Sequence, residues 1–164
     1  MHSEPQEPGK KPQPAEKPQA ELFRSPDAKV EGPMRGQKRP KVLLVEDNKG
    51  LAFEVNDMLT DEGYDVAVAG TFVEAIAKFN ELKGELTCVI TDMVFPTRDD
   101  SPWLNGPALV HYMKLKAPEI PVIAQSSEEK YLNEAKRMGA DVTLNKTGLS
   151  ELPGTIEGLL KKTD

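Results

Sequence analysis

The sequence predicts a doubly wound α/β domain, built on a five-stranded parallel sheet of order 2-1-3-4-5. Three observations carry that expectation. From Lys41 onward, short apolar runs of strand length alternate with segments of helical period. The runs are apolar at consecutive positions, as in strands buried on both faces. Five such strands separated by helices require right-handed crossovers and a parallel sheet covered on both sides.

The elements follow in order. "KVLLVED" (Lys41–Asp47) is a continuous apolar run closed by two carboxylates. Leu51, Val55, Met58 and Leu59 then recur at helical spacing, and "DEGY" (Asp61–Tyr64) supplies a glycine stop. "YDVAVA" (Tyr64–Ala69) is a second strand. Phe72, Ala75, Ile76, Phe79 and Leu82 mark a second helix, which Thr71 is placed to cap. "LTCVITD" (Leu86–Asp92) is the third strand, and Leu109, Tyr112 and Met113 share one face of a third helix. "PVIAQS" (Pro121–Ser126) is the fourth strand. "EEKYLNEAKRMG" is the fourth helix, with Tyr131, Ala135 and Met138 inward. "DVTLNK" (Asp141–Lys146) is the fifth strand. Leu149, Leu152, Ile156, Leu159 and Leu160 form a closing helix, interrupted by Pro153 and Gly154.

Residues 1–39 differ in kind. They hold seven of the fourteen prolines and few large apolar side chains. Such a segment cannot bury enough surface to offset its ordering entropy, so it is expected to be a disordered extension to a domain spanning 40–164. Its one apolar point is "ELFRSP" (Glu21–Pro26), a candidate docking peptide whose plainer reading is linker. The extension carries eight Lys/Arg against six Asp/Glu, while 40–164 carries thirteen against twenty-one. An acidic body without a basic stripe argues against direct nucleic-acid binding. The single basic cluster, "RGQKRPK" (Arg35–Lys41), reads as a solvated linker. There is no signal-type apolar stretch at the start and no run of membrane-spanning length, so a cytoplasmic protein without membrane contact is expected. Cys88, the only cysteine, sits in an apolar run and reads as a buried structural thiol. His2 and His111 are too few to support a histidine metal site or a triad, and His111 falls on the third helix.

In sheets of this class ligands sit beyond the carboxyl ends of the strands, at the switch point between strands 1 and 3. Strand 1 ends in Glu46 and Asp47, strand 3 in Asp92, strand 4 in Ser126 and strand 5 in Lys146. Singly, each has a bland reading: an aspartate capping a turn, a serine capping a helix, a surface lysine. Together they place three carboxylates, a hydroxyl and an ammonium group around one crevice. Three adjacent carboxylates resist joint ionisation unless a cation joins them, and hard oxygen ligands suit Mg²⁺. Lysine and serine add donors for phosphoryl oxygens. The set describes a site that accepts a phosphoryl group on a carboxylate.

With these residues in view, 41–162 resembles the receiver domain of two-component response regulators, a flavodoxin-like fold. "KVLLVEDN" is similar to the family's first strand and acidic pair, and "VITDMVFP" to its phosphoacceptor strand. "NGPALV" resembles the start of its third helix, "PVIAQSS" its fourth strand, and "GADVTLNK" the strand that leads to its lysine. The resemblance implies that Asp92 accepts phosphate from a histidine kinase or phosphotransfer protein. It implies that Glu46, Asp47, Asp92 and the backbone carbonyl of Val94 hold Mg²⁺. Ser126 would bind a phosphoryl oxygen, and Lys146 would pair with Asp92 or the phosphate. Such a domain is not a true enzyme: its chemistry is confined to self-catalysed phosphotransfer and autodephosphorylation. No output domain follows the last helix here, so a stand-alone receiver acting on an unidentified downstream protein is expected.

Three departures from the family pattern stand out. Pro96 and Gly106 are ten residues apart, which implies an insertion of roughly six residues that includes Asp99, Asp100 and Trp103. Its roles would be surface decoration, shielding the pocket, water-mediated metal contact or partner selection. The family's switch aromatic is Thr143 here, so the usual ring movement coupled to Ser126 is unavailable. The proline that follows the family's lysine is Thr147. That proline commonly follows a cis bond, which for Lys-Thr would cost ~3 kcal/mol, so the loop is strained or differently routed.

Thr143 and Thr147 favour an alternative: a phosphorylation-independent pseudo-receiver acting as an interaction module. The intact Glu46, Asp47, Asp92, Ser126 and Lys146 oppose it. A haloacid-dehalogenase-type phosphatase would want a second aspartate two residues after Asp92, where Val94 stands. A flavin carrier would want a Gly/Ser/Thr-rich phosphate loop after strand 1, and none is present.

Overall fold

The computed structural model describes residues 38–95 and 105–162. The expected extension up to residue 37, Pro96 and the inserted segment with Asp99, Asp100 and Trp103 lie outside the described residues.

Five parallel strands form one sheet in the order β2-β1-β3-β4-β5. They are β1 (Lys41–Val45), β2 (Asp65–Ala69), β3 (Leu86–Asp92), β4 (Val122–Ser126) and β5 (Val142–Asn145). Between and after them run α1 (Lys49–Asp61), α2 (Phe72–Leu82), α3 (Gly106–Lys116), α4 (Glu129–Met138) and α5 (Leu152–Leu160). The predicted class and strand order are those observed.

Because side chains alternate across a strand, the two faces of the sheet build two cores. One gathers Leu43, Val45, Val89, Val122 and Ala124 with Phe79 of α2 and Leu109 and Met113 of α3. The other gathers Val42, Leu44, Cys88, Ile90 and Ile123 with Val55 and Leu59 of α1 and Leu152 and Ile156 of α5. Leu59 and Phe79 are fully buried, and each such burial stabilises by roughly 1.5–3 kcal/mol. Cys88 is buried and its thiol pKa is pushed up to about 12 by desolvation, as an inert structural thiol requires. His111 is exposed on α3.

The helix ends are set locally. Gly63, just past α1, has φ 93°, and Gly139 at the end of α4 has φ 105°, a region that glycine enters at little cost. Thr71 caps α2: its Oγ1 accepts the Glu74 N–H at 3.2 Å. Glu74 in turn accepts the Gly70 N–H at 2.8 Å, a reciprocal arrangement of the capping-box kind. Thr71→Ala is expected to cost about 1 kcal/mol in urea unfolding. An unchanged midpoint would show that the cap contributes nothing.

Two expectations about the C-terminal part need correction. Strand 5 stops at Asn145, so Lys146 opens a 3-10 segment (Lys146–Glu151) and does not close the strand. Pro153 and Gly154 do not interrupt the last helix. Pro153 sits in the first turn of α5, where its missing N–H would have had no helical partner. The Lys146–Thr147 loop is differently routed. Its peptides are trans, and Asn145 Oδ1 accepts both the Thr147 N–H and the Thr147 hydroxyl, each at 3.0 Å.

Candidate functional site

The carboxyl ends of β1 and β3 lie side by side in the sheet, and the helices that follow them, α1 and α3, pack on opposite faces. There the described chain concentrates its buried polar groups. Glu46 is 4% exposed, Asp92 is 5% exposed, and both continue the rows of Val42–Leu44 and Cys88–Ile90. The two carboxylates therefore cap the core formed by α1 and α5.

Asp92 is held on both oxygens. Its Oδ1 accepts the main-chain N–H groups of Met93 at 2.7 Å and Val94 at 3.2 Å. Its Oδ2 accepts from Lys146 Nζ at 2.7 Å. The same ammonium donates to Glu46 Oε2 at 2.9 Å, and Glu46 Oε1 accepts the Asn48 N–H at 3.1 Å. Lys146, just past β5, thus reaches the ends of β3 and β1, bridging two buried carboxylates. Asn48, through its side chain, also caps α1 by accepting the Leu51 N–H.

Asp47 joins them: Glu46, Asp47 and Asp92 each offer a carboxylate oxygen, all within 4.8 Å of one another. When all three are ionised, one ammonium leaves two negative charges uncompensated, and a divalent cation fits that deficit. The titration behaviour agrees. Glu46 has its pKa raised, first by burial, against the lowering pull of the Lys146 and Asn48 hydrogen bonds; the nearby Asp92 raises it further. For Lys146, burial favours the neutral amine, but the bonds and charges of Asp92 and Glu46 outweigh it and raise its pKa.

Ser126 closes β4 and is buried, yet its hydroxyl is turned to its own loop, where it accepts the Glu128 N–H at 3.1 Å. Among the described residues it makes no bond to Asp92 or Lys146. Val94 is half exposed just past β3. Thr143 is half-buried on β5, opposite Ala124 of β4. The sequence predicts that Glu46, Asp47, Asp92, Ser126 and Lys146 share one crevice; the structure brings Glu46, Asp47, Asp92 and Lys146 together, while the Ser126 hydroxyl is bonded to its own loop.

Two neighbours were not legible as site residues. Gly106, the first residue of α3, lies against the end of β3: a Cβ there would sit 2.3 Å from Met93 Cα and 2.7 Å from the Asp92 carbonyl oxygen. Gln125 is 2% exposed, pairs with Asp92 across the β3–β4 ladder, and has a side-chain nitrogen without a hydrogen-bond partner among the described residues. Its signal in the sequence was faint, a single amide in the otherwise apolar run "VIA" before Ser126.

Comparison with known proteins agrees with this geometry. Residues 42–157 match the model of the response regulator receiver domain. The chain is 31% identical over 129 residues to the sensor kinase CckA of Brucella abortus. That match covers 75% of this chain and only 13% of the kinase. The receiver domain of the Francisella response regulator 1452 superposes with a TM-score of 0.65 at 26% identity, covering 77% of this chain and all of that one. The Vibrio cholerae chemotaxis protein CheY4 superposes with a TM-score of 0.63 at 25% identity, covering 75% of this chain and all of that one. With the family match running from β1 into α5, the chain belongs to the response regulator receiver domain family.

Proposed function

We propose that this protein is a phosphoacceptor. In this reading Asp92 takes a phosphoryl group from a phosphohistidine on a histidine kinase or phosphotransfer protein, and the change alters binding of a downstream protein. The observation that carries the reading is the pair of hydrogen bonds that Lys146 donates to Asp92 and Glu46, beside Asp47. A structural ion pair needs one carboxylate; here a second and a third stand beside it at the switch point of a doubly wound sheet, where ligands bind.

An Asp92 carboxylate oxygen forms the O–P bond as the donor's N–P bond breaks, and the electron pair of that bond stays with the imidazole. The main-chain N–H groups of Met93 and Val94 fix the carboxylate for in-line attack. Lys146 moves its charge from the carboxylate toward the incoming phosphoryl oxygens. The Ser126 hydroxyl, whose oxygen accepts the Glu128 N–H, donates its O–H to a phosphoryl oxygen. Glu46, Asp47, Asp92 and the Val94 carbonyl are the ligands for Mg²⁺, which when bound supplies neutralisation of the phosphoryl charge. The domain boundary at residue 40 and a cytoplasmic location belong to the same reading; no helix among the described residues is long and apolar enough to cross a membrane.

The test is intact mass after incubation with Mg²⁺ and acetyl phosphate, beside Asp92→Ala. Gain of one acid-stable, base-labile phosphoryl group in the wild type alone is expected. No adduct, together with no response to beryllofluoride, would favour the pseudo-receiver, for which Thr143 and Thr147 are the sequence grounds.

Metal binding carries its own pH signature. The raised pKa of Glu46 makes it hold its proton above the ordinary 4.5, and the ion must displace that proton. Mg²⁺ affinity is therefore expected to fall as pH drops through the window from Glu46's raised value toward 4.5, with proton release on binding visible by calorimetry in buffers of different ionisation enthalpy. Affinity that does not change between neutral pH and that window would count against Glu46 as a ligand.

A further inference from the structure

Gln125 has no part in the ligand set or in either core, yet it occupies a costly position. It is buried, and among the described residues its side-chain nitrogen has no partner. A buried donor without an acceptor destabilises a fold, whereas an apolar side chain of the same shape does not. Placement gives the reason to keep it. On β4, Ile123 faces the core beneath α1 and α5, so Gln125, two residues on, lies on that same face. On β3, Ile90 faces that core, which puts Asp92 on the same face as well. The ladder pairs Asp92 with Gln125, and Gln125 with Leu144 on the other side. Neighbouring strands lie about 4.8 Å apart, within reach of a glutamine side chain. Of its two lateral neighbours only Asp92 offers an acceptor.

That acceptor is occupied. Asp92 Oδ1 holds two main-chain N–H groups, and Oδ2 holds Lys146. We infer that Gln125 is a positioning residue for the acceptor: its amide N–H donates to the Asp92 carboxyl group, at the oxygen Lys146 leaves when it turns to the phosphoryl group. The amide waits unpaired in the free protein and is satisfied in the phosphorylated one. It thereby favours the phosphorylated form and keeps the carboxyl plane fixed once its ammonium partner has gone. This rests on the phosphoacceptor reading above.

Gln125→Met keeps the length of the side chain and removes its donors; Gln125→Leu is the shorter control. Thermal unfolding is followed in the free protein, with Mg²⁺ alone, and with Mg²⁺ and beryllofluoride as the phosphoryl mimic. The free Gln125→Met variant is expected to melt at or above the wild-type temperature. Its Mg²⁺ affinity should be unchanged, and its beryllofluoride affinity about ten-fold weaker or more, the scale of one hydrogen bond to a charged group. Equal beryllofluoride affinity in both proteins would overturn the assignment. So would free variants that melt lower in both substitutions, since the amide would then serve the fold itself. A wild type that binds no beryllofluoride and gains no adduct would remove the phosphoacceptor reading, and this inference with it.

Discussion

Replacing Lys146 by methionine is expected to destabilise the protein by about 3 kcal/mol at neutral pH, the scale of breaking a buried ion pair from one side. The lysine side chain is 22% exposed and bridges Glu46 and Asp92, whose side chains are 3% and 6% exposed. Methionine fills the space of the aliphatic stem, so the loss reports charge more than packing. Without the ammonium, two buried carboxylates face each other, and Asp92 raises the pKa of Glu46 with nothing to offset it. A carboxyl group whose folded pKa is raised destabilises the fold as pH rises above its unfolded value. The deficit of the variant should therefore be greatest at neutral pH and shrink as pH falls toward the ordinary 4.5 of glutamate. In the wild type the sign is reversed for the lysine itself. Its raised folded pKa contributes stability that is complete below the ordinary 10.5 and is lost as pH rises through the raised value. Urea unfolding at pH 7 and pH 5, with and without Mg²⁺, separates these effects. Mg²⁺ should restore more stability to the variant than to the wild type, because it supplies the missing positive charge. A deficit that is the same at both pH values and indifferent to Mg²⁺ would mean that the stem's packing, and not its charge, is what matters.

How much of this could be read from the sequence depends on which physical signal each residue gives. Runs such as "VLLV" in β1 and "CVI" in β3 are apolar at consecutive positions, so their strands and the sheet they build were legible, along with the carboxylates at their ends. The Thr71 cap and the glycine stops were legible because each states its own backbone geometry. Pro153 and Gly154 were misread because the same pair suits a break or a first turn, and only the neighbouring 3-10 segment decides between them. The route after Lys146 was open for a similar reason. Asn145 offers its side chain to Thr147, a local alternative to a proline turn that spacing alone does not announce. That Lys146 holds Glu46 as well as Asp92 depends on a β1–β3–β5 convergence across a hundred residues. The unpaired amide of Gln125 is invisible to any pattern, since a sequence lists polar groups and not their partners.

Gly106→Ala is expected to have an effect of similar size for a wholly steric reason. The added methyl would lie 2.3 Å from Met93 Cα and 2.8 Å from the Met93 carbonyl carbon, both main-chain atoms that no rotamer change can move aside. Either α3 or the end of β3 must shift, and overpacking of this kind costs up to about 3 kcal/mol. The shift falls where it also affects the site. Gly106 N–H donates to the Met93 carbonyl at 3.2 Å, while the Met93 and Val94 N–H groups hold Asp92 Oδ1. A displaced Met93 loosens the carboxylate, so Mg²⁺ and beryllofluoride affinity should fall together with stability. Gly154→Ala is the matched control. Gly154 is exposed within α5, nothing lies within 4 Å of a Cβ there, and alanine should stabilise the helix by about 0.5–1 kcal/mol. Opposite signs for the same chemical change at two helical glycines, measured by urea unfolding, would tie the loss at Gly106 to the close approach of α3 and the phosphoacceptor strand. A Gly106→Ala protein as stable as the wild type, with Mg²⁺ affinity intact, would show that α3 can retreat without disturbing Asp92, and that the glycine is not what seats the helix against the site.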